Sequence, residues 1–94
     1  FCHVADAVEA LLRLRECPAA LGEVVNVGGD VELTIADLAR RVIAELGSAS
    51  GLEFVPYEQA YAPGFQDMRH RRPDLAKLEH LTGFRPRRGL GEII

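Results

Sequence analysis

The chain alternates between segments with the helical period and short runs of β-branched residues, and this alternation constrains its fold more than any other feature. Two runs predict buried strands: residues 23–27, which precede a Gly-Gly pair, and residues 52–55, which precede a proline. Around them, apolar residues recur at the spacing of amphipathic helices. Because strands that alternate with helices indicate a parallel or mixed sheet, we predict an α/β fold with short strands and about three to four helices.

The predicted helices have recognisable starts and stops. The first ends before Pro18 and has its apolar residues on one face, at Val4, Val8, Leu11 and Leu12. The second has Thr34 as its N-cap, with Asp37 in capping-box relation, and stops at Gly47. A third begins at Pro73, and residues 90–94 form the opening turn of a fourth.

The third predicted helix follows a long irregular segment. Its N-cap is Asp74 and its stop is Gly83. The preceding residues 57–72 have neither the helical nor the strand period, so we predict a long loop. Loops of this length in a compact domain are usually functional.

The length of 94 residues predicts one domain, residues 1–94, near the lower limit for a self-sufficient core. Two cysteines are too few for a disulfide framework and are typical of a reducing compartment, so we expect a cytoplasmic protein. No apolar run approaches the length of a membrane span, so no membrane partner is expected. The start without methionine and the unfinished last helix lead us to interpret the chain as a C-terminal piece of a longer protein.

Charge is distributed unevenly along the chain. Residues 1–64 contain four Lys/Arg and ten Asp/Glu, whereas residues 65–94 contain seven Lys/Arg and four Asp/Glu. The net charge of −3 does not favour a nucleic-acid partner, since proteins that bind DNA are usually basic overall. A concentrated positive segment suits one small anionic ligand better.

The positive charge is densest in residues 61–74, which place two aromatics, a glycine and three arginines just before a proline. Arginine forks match phosphate or carboxylate oxygens two at a time, so a phosphorylated ligand is the natural candidate. Two other interpretations remain open. The segment is either a solvated basic turn or, in a stand-alone interaction module without enzymatic activity, a loop that docks an acidic partner.

Five motifs occur in an order and spacing that resemble a known family. They are Phe1-Cys-His-Val-Ala-Asp-Ala-Val, Val25-Asn-Val-Gly, Leu33-Thr-Ile-Ala-Asp-Leu, the segment from Gly64 to Asp74 followed by Lys77, and Thr82-Gly-Phe-Arg-Pro. Together they look like the C-terminal segment of extended short-chain dehydrogenases/reductases that act on nucleotide sugars. The most similar branches are the UDP-glucuronate decarboxylases and the UDP-sugar epimerases.

This resemblance implies an NAD-dependent nucleotide-sugar epimerase, dehydratase or decarboxylase as the parent enzyme. In that family an N-terminal Rossmann half holds NAD and carries a Tyr-x-x-x-Lys catalytic pair, and the C-terminal lobe closes over the nucleotide sugar. The chain has neither that pair nor a Gly-x-x-Gly-x-x-Gly loop. We therefore expect this substrate-binding lobe to bind no NAD and to have no catalytic residues or activity by itself.

The resemblance also assigns substrate contacts. Arg71 aligns with an arginine that meets the diphosphate or sugar acid, and Tyr61 aligns with an aromatic residue near the bound nucleotide sugar. Arg69 and Arg72 are secondary candidates: Arg69 lies on the same side as Arg71 in an extended segment, and Arg72 on the opposite side. The remaining candidates, which are expected near the base or sugar, are Phe65 and Gln66.

Three further expectations concern structure and assembly. His3 and Asp6 are interpreted as structural, with Asp6 capping or anchoring the first helix and His3 half-buried. The cysteines and histidines lack paired ligand spacing, so no metal site is expected. The apolar face of the first helix and the pair Ile93-Ile94 would normally pack against the Rossmann half, so we expect the chain alone to form a homo-oligomer or to be poorly stable.

Overall fold

The computed structural model of the chain describes residues 1–68 and 70–94, and the regular structure in those residues is entirely helical. The described residues contain five α-helices of one to three turns and one 3₁₀ turn. The elements are α1 (Val4–Arg15), the 3₁₀ turn (Pro18–Ala20), α2 (Ile35–Glu45), α3 (Tyr57–Ala60), α4 (Ala76–Thr82) and α5 (Leu90–Ile93).

The helices α3 and α5 are single turns of four residues each. The chain divides into two compact units, residues 1–32 with 72–94, and residues 33–71. The first unit contains α1, the 3₁₀ turn, α4 and α5, and the second contains α2 and α3.

The predicted α/β fold is wrong, because no residue that the structure describes lies in a β-strand. Both predicted strands, residues 23–27 and 52–55, are irregular, and Val24 and Phe54 are largely exposed. β-Branched residues favour an extended backbone, but a strand also needs a partner to complete its hydrogen-bond ladder. Neither segment has such a partner in the described part of the chain, so the chain is a small helical piece rather than a lobe with short strands.

Side-chain contacts, instead of a ladder, hold residues 23–27 in the first unit. Val25 and Val27 pack against the core, and the Asn26 side-chain amide donates to the Asp74 carbonyl at 3.2 Å. Lys77 Nζ of α4 lies 2.5 Å from a carboxylate oxygen of Glu23. The alternating valines therefore pack as they would in a strand, but they pack against helices.

The core of the first unit is small. Its buried apolar residues are Ala10, Leu75, Leu78 and Phe84, and the partly buried Leu14, Val25 and Val27 pack against them. Gly83 ends α4 with a positive φ of 64°, as the sequence predicted, and this left-handed residue turns the chain so that Phe84 returns to the core. The start of α4 was predicted too early: it begins at Ala76, whose N–H donates to the Asp74 carboxylate at 2.9 Å.

The first helix was predicted correctly, but the predicted apolar face is not the one that packs in the first unit. Val4, Val8, Leu11 and Leu12 are exposed, whereas Asp6 and Ala10 are buried and Leu14 packs against the core. His3 is the N-cap, since its Nδ1 accepts from the Ala5 N–H at 3.1 Å.

In the second unit, α2 begins and ends as predicted. Thr34 Oγ1 accepts from the Asp37 N–H at 3.0 Å and also donates to the Asp37 carboxylate at 2.6 Å. Gly47 follows the helix with a φ of 58°, and the Ser48 N–H donates to the Ile43 carbonyl. None of the described residues of this unit is buried. Across the described residues of both units, no helix has the length and apolarity required to cross a membrane.

Candidate functional site

Three aromatic rings of the second unit stack on one another, and we call Tyr57, Tyr61 and Phe65 the aromatic cluster. The ring centroids of Tyr61 and Phe65 are 4.1 Å apart with an interplanar angle of 11°. Tyr57 lies 5.4 Å from Tyr61 and 6.3 Å from Phe65. All three side chains remain about half exposed, so ring surface is accessible to a ligand.

Local backbone structure produces this cluster. The single turn α3 brings Tyr57 and Tyr61 close together, because residues four apart lie on the same side of a helix. A turn then follows in which the Phe65 N–H donates to the Ala62 carbonyl, with Gly64 at a φ of 87°. Proline before a glycine with positive φ is typical of a type II turn, which returns Phe65 toward Tyr61. The sequence analysis predicted a loop here and missed both α3 and Tyr57.

Arg71, the principal predicted site residue, is a surface side chain in the same unit. Its side chain is 74% exposed, and its Nη2 lies 3.8 Å from Asp67 Oδ1. That separation is longer than a hydrogen bond, so the guanidinium keeps its donors available. Arg71 is therefore not locked into an internal ion pair.

The other predicted site residues are only partly brought together. Phe65 and Tyr61 are both in the aromatic cluster, and Gln66 beside them is exposed. Arg72 belongs to the first unit, where it is exposed and contributes a minor part of the field that lowers the pKa of Asp30, after the dominant hydrogen bond from Arg85. Arg69 lies outside the described residues.

Asp6 is the most constrained polar residue of the first unit. It is 1% exposed, and its Oδ2 accepts from the backbone N–H groups of Arg87 at 3.0 Å and Arg88 at 2.8 Å. The Arg88 guanidinium also donates to its Oδ1. The Arg88 backbone hydrogen bond is the largest of the effects that hold the pKa of Asp6 below its ordinary value, and they outweigh the opposing effect of burial.

The predicted anchoring role of Asp6 is thus confirmed, but its partners were not foreseen. Arg87 and Arg88 lie at the other end of the sequence, and no local motif connects them with α1. The only signal was an acidic residue in the first turn of a helix together with an arginine-rich turn elsewhere. These two features alone do not predict that the acidic residue and the arginines contact each other.

An open cleft of about 310 Å³ surrounds this pair. Its lining residues are charged or aromatic: Asp6, Glu9, Phe84, Arg87, Arg88 and Glu92. Most of the charges have partners within the chain, since Glu9 pairs with Arg13 at 2.7 Å and Glu92 accepts from the Gly89 N–H at 2.9 Å. With three carboxylates beside two guanidinium groups, the cleft is poorly suited to an anion.

The described residues contain no group of three or more His, Cys, Asp or Glu side chains that could hold a metal ion. Both cysteines are free and partly buried, and burial is the largest cause of a raised pKa at Cys2. Cys17 Sγ donates to the Leu81 carbonyl at 3.3 Å, which connects the end of α1 to α4.

Comparisons with known proteins give relatives that match the whole chain. It is 34% identical over 98 residues to a UDP-N-acetyl-alpha-D-glucosaminuronate decarboxylase of Bacillus cytotoxicus. It is 29% identical over 103 residues both to UDP-D-apiose/UDP-D-xylose synthase 2 of Arabidopsis thaliana and to the UDP-D-apiose/UDP-D-xylose synthase of rice, Oryza sativa subsp. japonica. The chain spans 30%, 26% and 26% of these relatives, less than a third of each.

No family model matches the chain, and no solved structure matches it significantly. The whole-chain similarity nevertheless confirms the resemblance drawn from the motifs. The chain is thus similar over its whole length to part of UDP-sugar decarboxylases and synthases.

Proposed function

We propose that the chain is the substrate-binding C-terminal part of an NAD-dependent nucleotide-sugar enzyme, and that it contacts the nucleotide diphosphate of a UDP-sugar. The observation that carries this proposal is the match of the whole chain to relatives that are all named for UDP-sugars. In the structure, an exposed arginine and an exposed aromatic cluster lie in one unit, which supplies the two kinds of contact that a nucleotide diphosphate requires.

Arg71 contacts the diphosphate in this proposal. A guanidinium presents paired donors to phosphate oxygens, and hydrogen bonds to charged groups contribute about 1.5–3 kcal/mol each. The loose contact with Asp67 leaves those donors available. The aromatic cluster offers Tyr61 and Phe65 to the base or sugar, because planar rings stack at the separations seen here. Gln66, Arg69 and Arg72 are secondary contacts.

NAD and the catalytic residues belong, in this proposal, to the part of the relatives that this chain does not span. A Rossmann unit binds a dinucleotide at a glycine-rich turn between a strand and a helix. The described residues contain no strand, and the sequence has no such glycine loop, so the residues present do not fit NAD. We propose that the chain by itself is inactive.

UDP binding to the full-length protein tests the proposal. In isothermal titration calorimetry, Arg71→Ala should weaken UDP binding at least tenfold, which corresponds to about 1.4 kcal/mol. Arg41→Ala is the matched control, since Arg41 is an exposed arginine of the same unit in an ion pair at 3.5 Å with Glu45. An unchanged affinity in Arg71→Ala, or an equal loss in Arg41→Ala, would exclude Arg71 from the site.

A further inference from the structure

Asp67 faces the guanidinium that we assign to the substrate. Its Oδ1 lies 3.8 Å from Arg71 Nη2, and both side chains are accessible to solvent. At this distance the two groups attract each other without forming a hydrogen bond, and exposed pairs of this kind stabilise a protein very little. The Asp67 carboxylate therefore affects the electrostatic potential around Arg71 more than it affects the stability of the fold.

The Asp67 carboxylate also accepts a hydrogen bond from its backbone neighbour. The same Oδ1 that lies 3.8 Å from Arg71 Nη2 accepts from the Met68 N–H at 2.8 Å. This hydrogen bond orients the carboxylate beside Arg71. An anion that approaches the guanidinium consequently meets a negative charge as well.

We propose that Asp67 acts as an intramolecular competitor for Arg71 and sets the affinity of the site for the diphosphate. This inference rests on the proposed function. An anion that binds the available guanidinium donors bears the repulsion of the nearby Asp67 carboxylate. For a charge about 6 Å away in water-like surroundings, this repulsion lowers the affinity about threefold.

Asp67→Asn is a precise test, because asparagine retains an oxygen that accepts from the Met68 N–H and removes only the charge. In calorimetric titrations of the full-length protein at low ionic strength, the variant should bind UDP and inorganic pyrophosphate about threefold more tightly. The gain should shrink in high salt, which screens exposed charges. Uridine, which has no phosphate, should bind equally to the variant and to the wild type.

Two further variants test whether the gain in UDP affinity comes from Asp67 acting beside Arg71 or from a general change of charge. Glu53→Gln removes an equal charge from another exposed position of the same unit and should leave the affinity for UDP unchanged. In an Arg71→Ala background, Asp67→Asn should lose most of its effect, because no guanidinium then holds the diphosphate near Asp67. Unchanged or weaker UDP binding by Asp67→Asn, while Arg71→Ala still costs tenfold, would overturn the competitor role alone. If Arg71→Ala leaves UDP binding unchanged, the proposed function at Arg71 fails and the competitor role fails with it.

Discussion

At the scale of single residues, Asp6 connects distant parts of the sequence. The buried carboxylate accepts from two backbone N–H groups and from the Arg88 guanidinium, so the turn at residues 87–88 is fixed to α1. A buried carboxylate without partners would be unfavourable, whereas this one has its hydrogen bonds satisfied. Asp6 is therefore a structural residue, and it is the principal polar contact between α1 and the C-terminal residues.

The lowered pKa of Asp6 predicts how stability depends on pH. In the folded chain the pKa of Asp6 lies below its ordinary value of 3.8, so the unfolded chain binds this proton more readily. The stabilisation by Asp6 is complete above about pH 4 and is lost as the pH falls through the folded value. The free energies of unfolding of wild type and Asp6→Asn, measured in urea, should differ most near neutral pH and converge in acid.

Other carboxylates also contribute to the loss of stability in acid, because Glu23, Asp30 and Asp37 have lowered pKa values as well. The difference between wild type and Asp6→Asn isolates the Asp6 contribution. Glu53→Gln is the control, since Glu53 is exposed and lies outside the first unit. If the free energies of unfolding of wild type and Asp6→Asn differ by the same amount from neutral pH into acid, ionised Asp6 does not stabilise the fold as proposed.

At the scale of elements, the sequence predicted helices well where the signals are local. Thr34 and Gly47 bound α2 as expected, and Gly83 ends α4. Residues 23–27 were mispredicted because local composition does not show whether a pairing strand exists. The turn α3 was missed because it has too few residues to display a period, and Tyr57 was missed with it.

The substitution Gly83→Ala tests whether the left-handed backbone at Gly83 ends α4. No atom lies within 4 Å of a Cβ placed there, so the cost of Gly83→Ala comes from its φ of 64° and not from a clash. The substitution should lower the free energy of unfolding by about 1–2 kcal/mol. Gly51→Ala is the control, since that position is equally open and has no positive φ. Equal stability of the two variants in urea unfolding would contradict the interpretation.

At the scale of the whole molecule, little apolar surface is buried. The core of the first unit has four buried apolar residues, while the face of α1 at Val4, Val8, Leu11 and Leu12 is exposed. The sequence names Arg71, Tyr61 and Phe65 as candidate site residues, and that assignment stays a prediction. The contact with Asp67 and the stacking with Tyr57 depend on backbone turns that only the structure reveals.

The exposed face of α1 predicts self-association of the isolated chain. Such apolar patches favour contact with another surface. We expect light scattering to show oligomers for the 94-residue chain, and we expect Leu11→Glu to reduce them, whereas Leu21→Glu, at an exposed leucine outside α1, should not. A monodisperse wild-type monomer with a sharp melt at high temperature would contradict this expectation.

We propose that Arg71 contacts the diphosphate of a UDP-sugar, and a crystal structure of the full-length protein with UDP bound tests this contact. We expect an Arg71 guanidinium nitrogen about 2.7–2.9 Å from a diphosphate oxygen, the usual distance for a charge-assisted hydrogen bond. Bound UDP whose diphosphate is held by other residues, with Arg71 still directed into solvent, would contradict it.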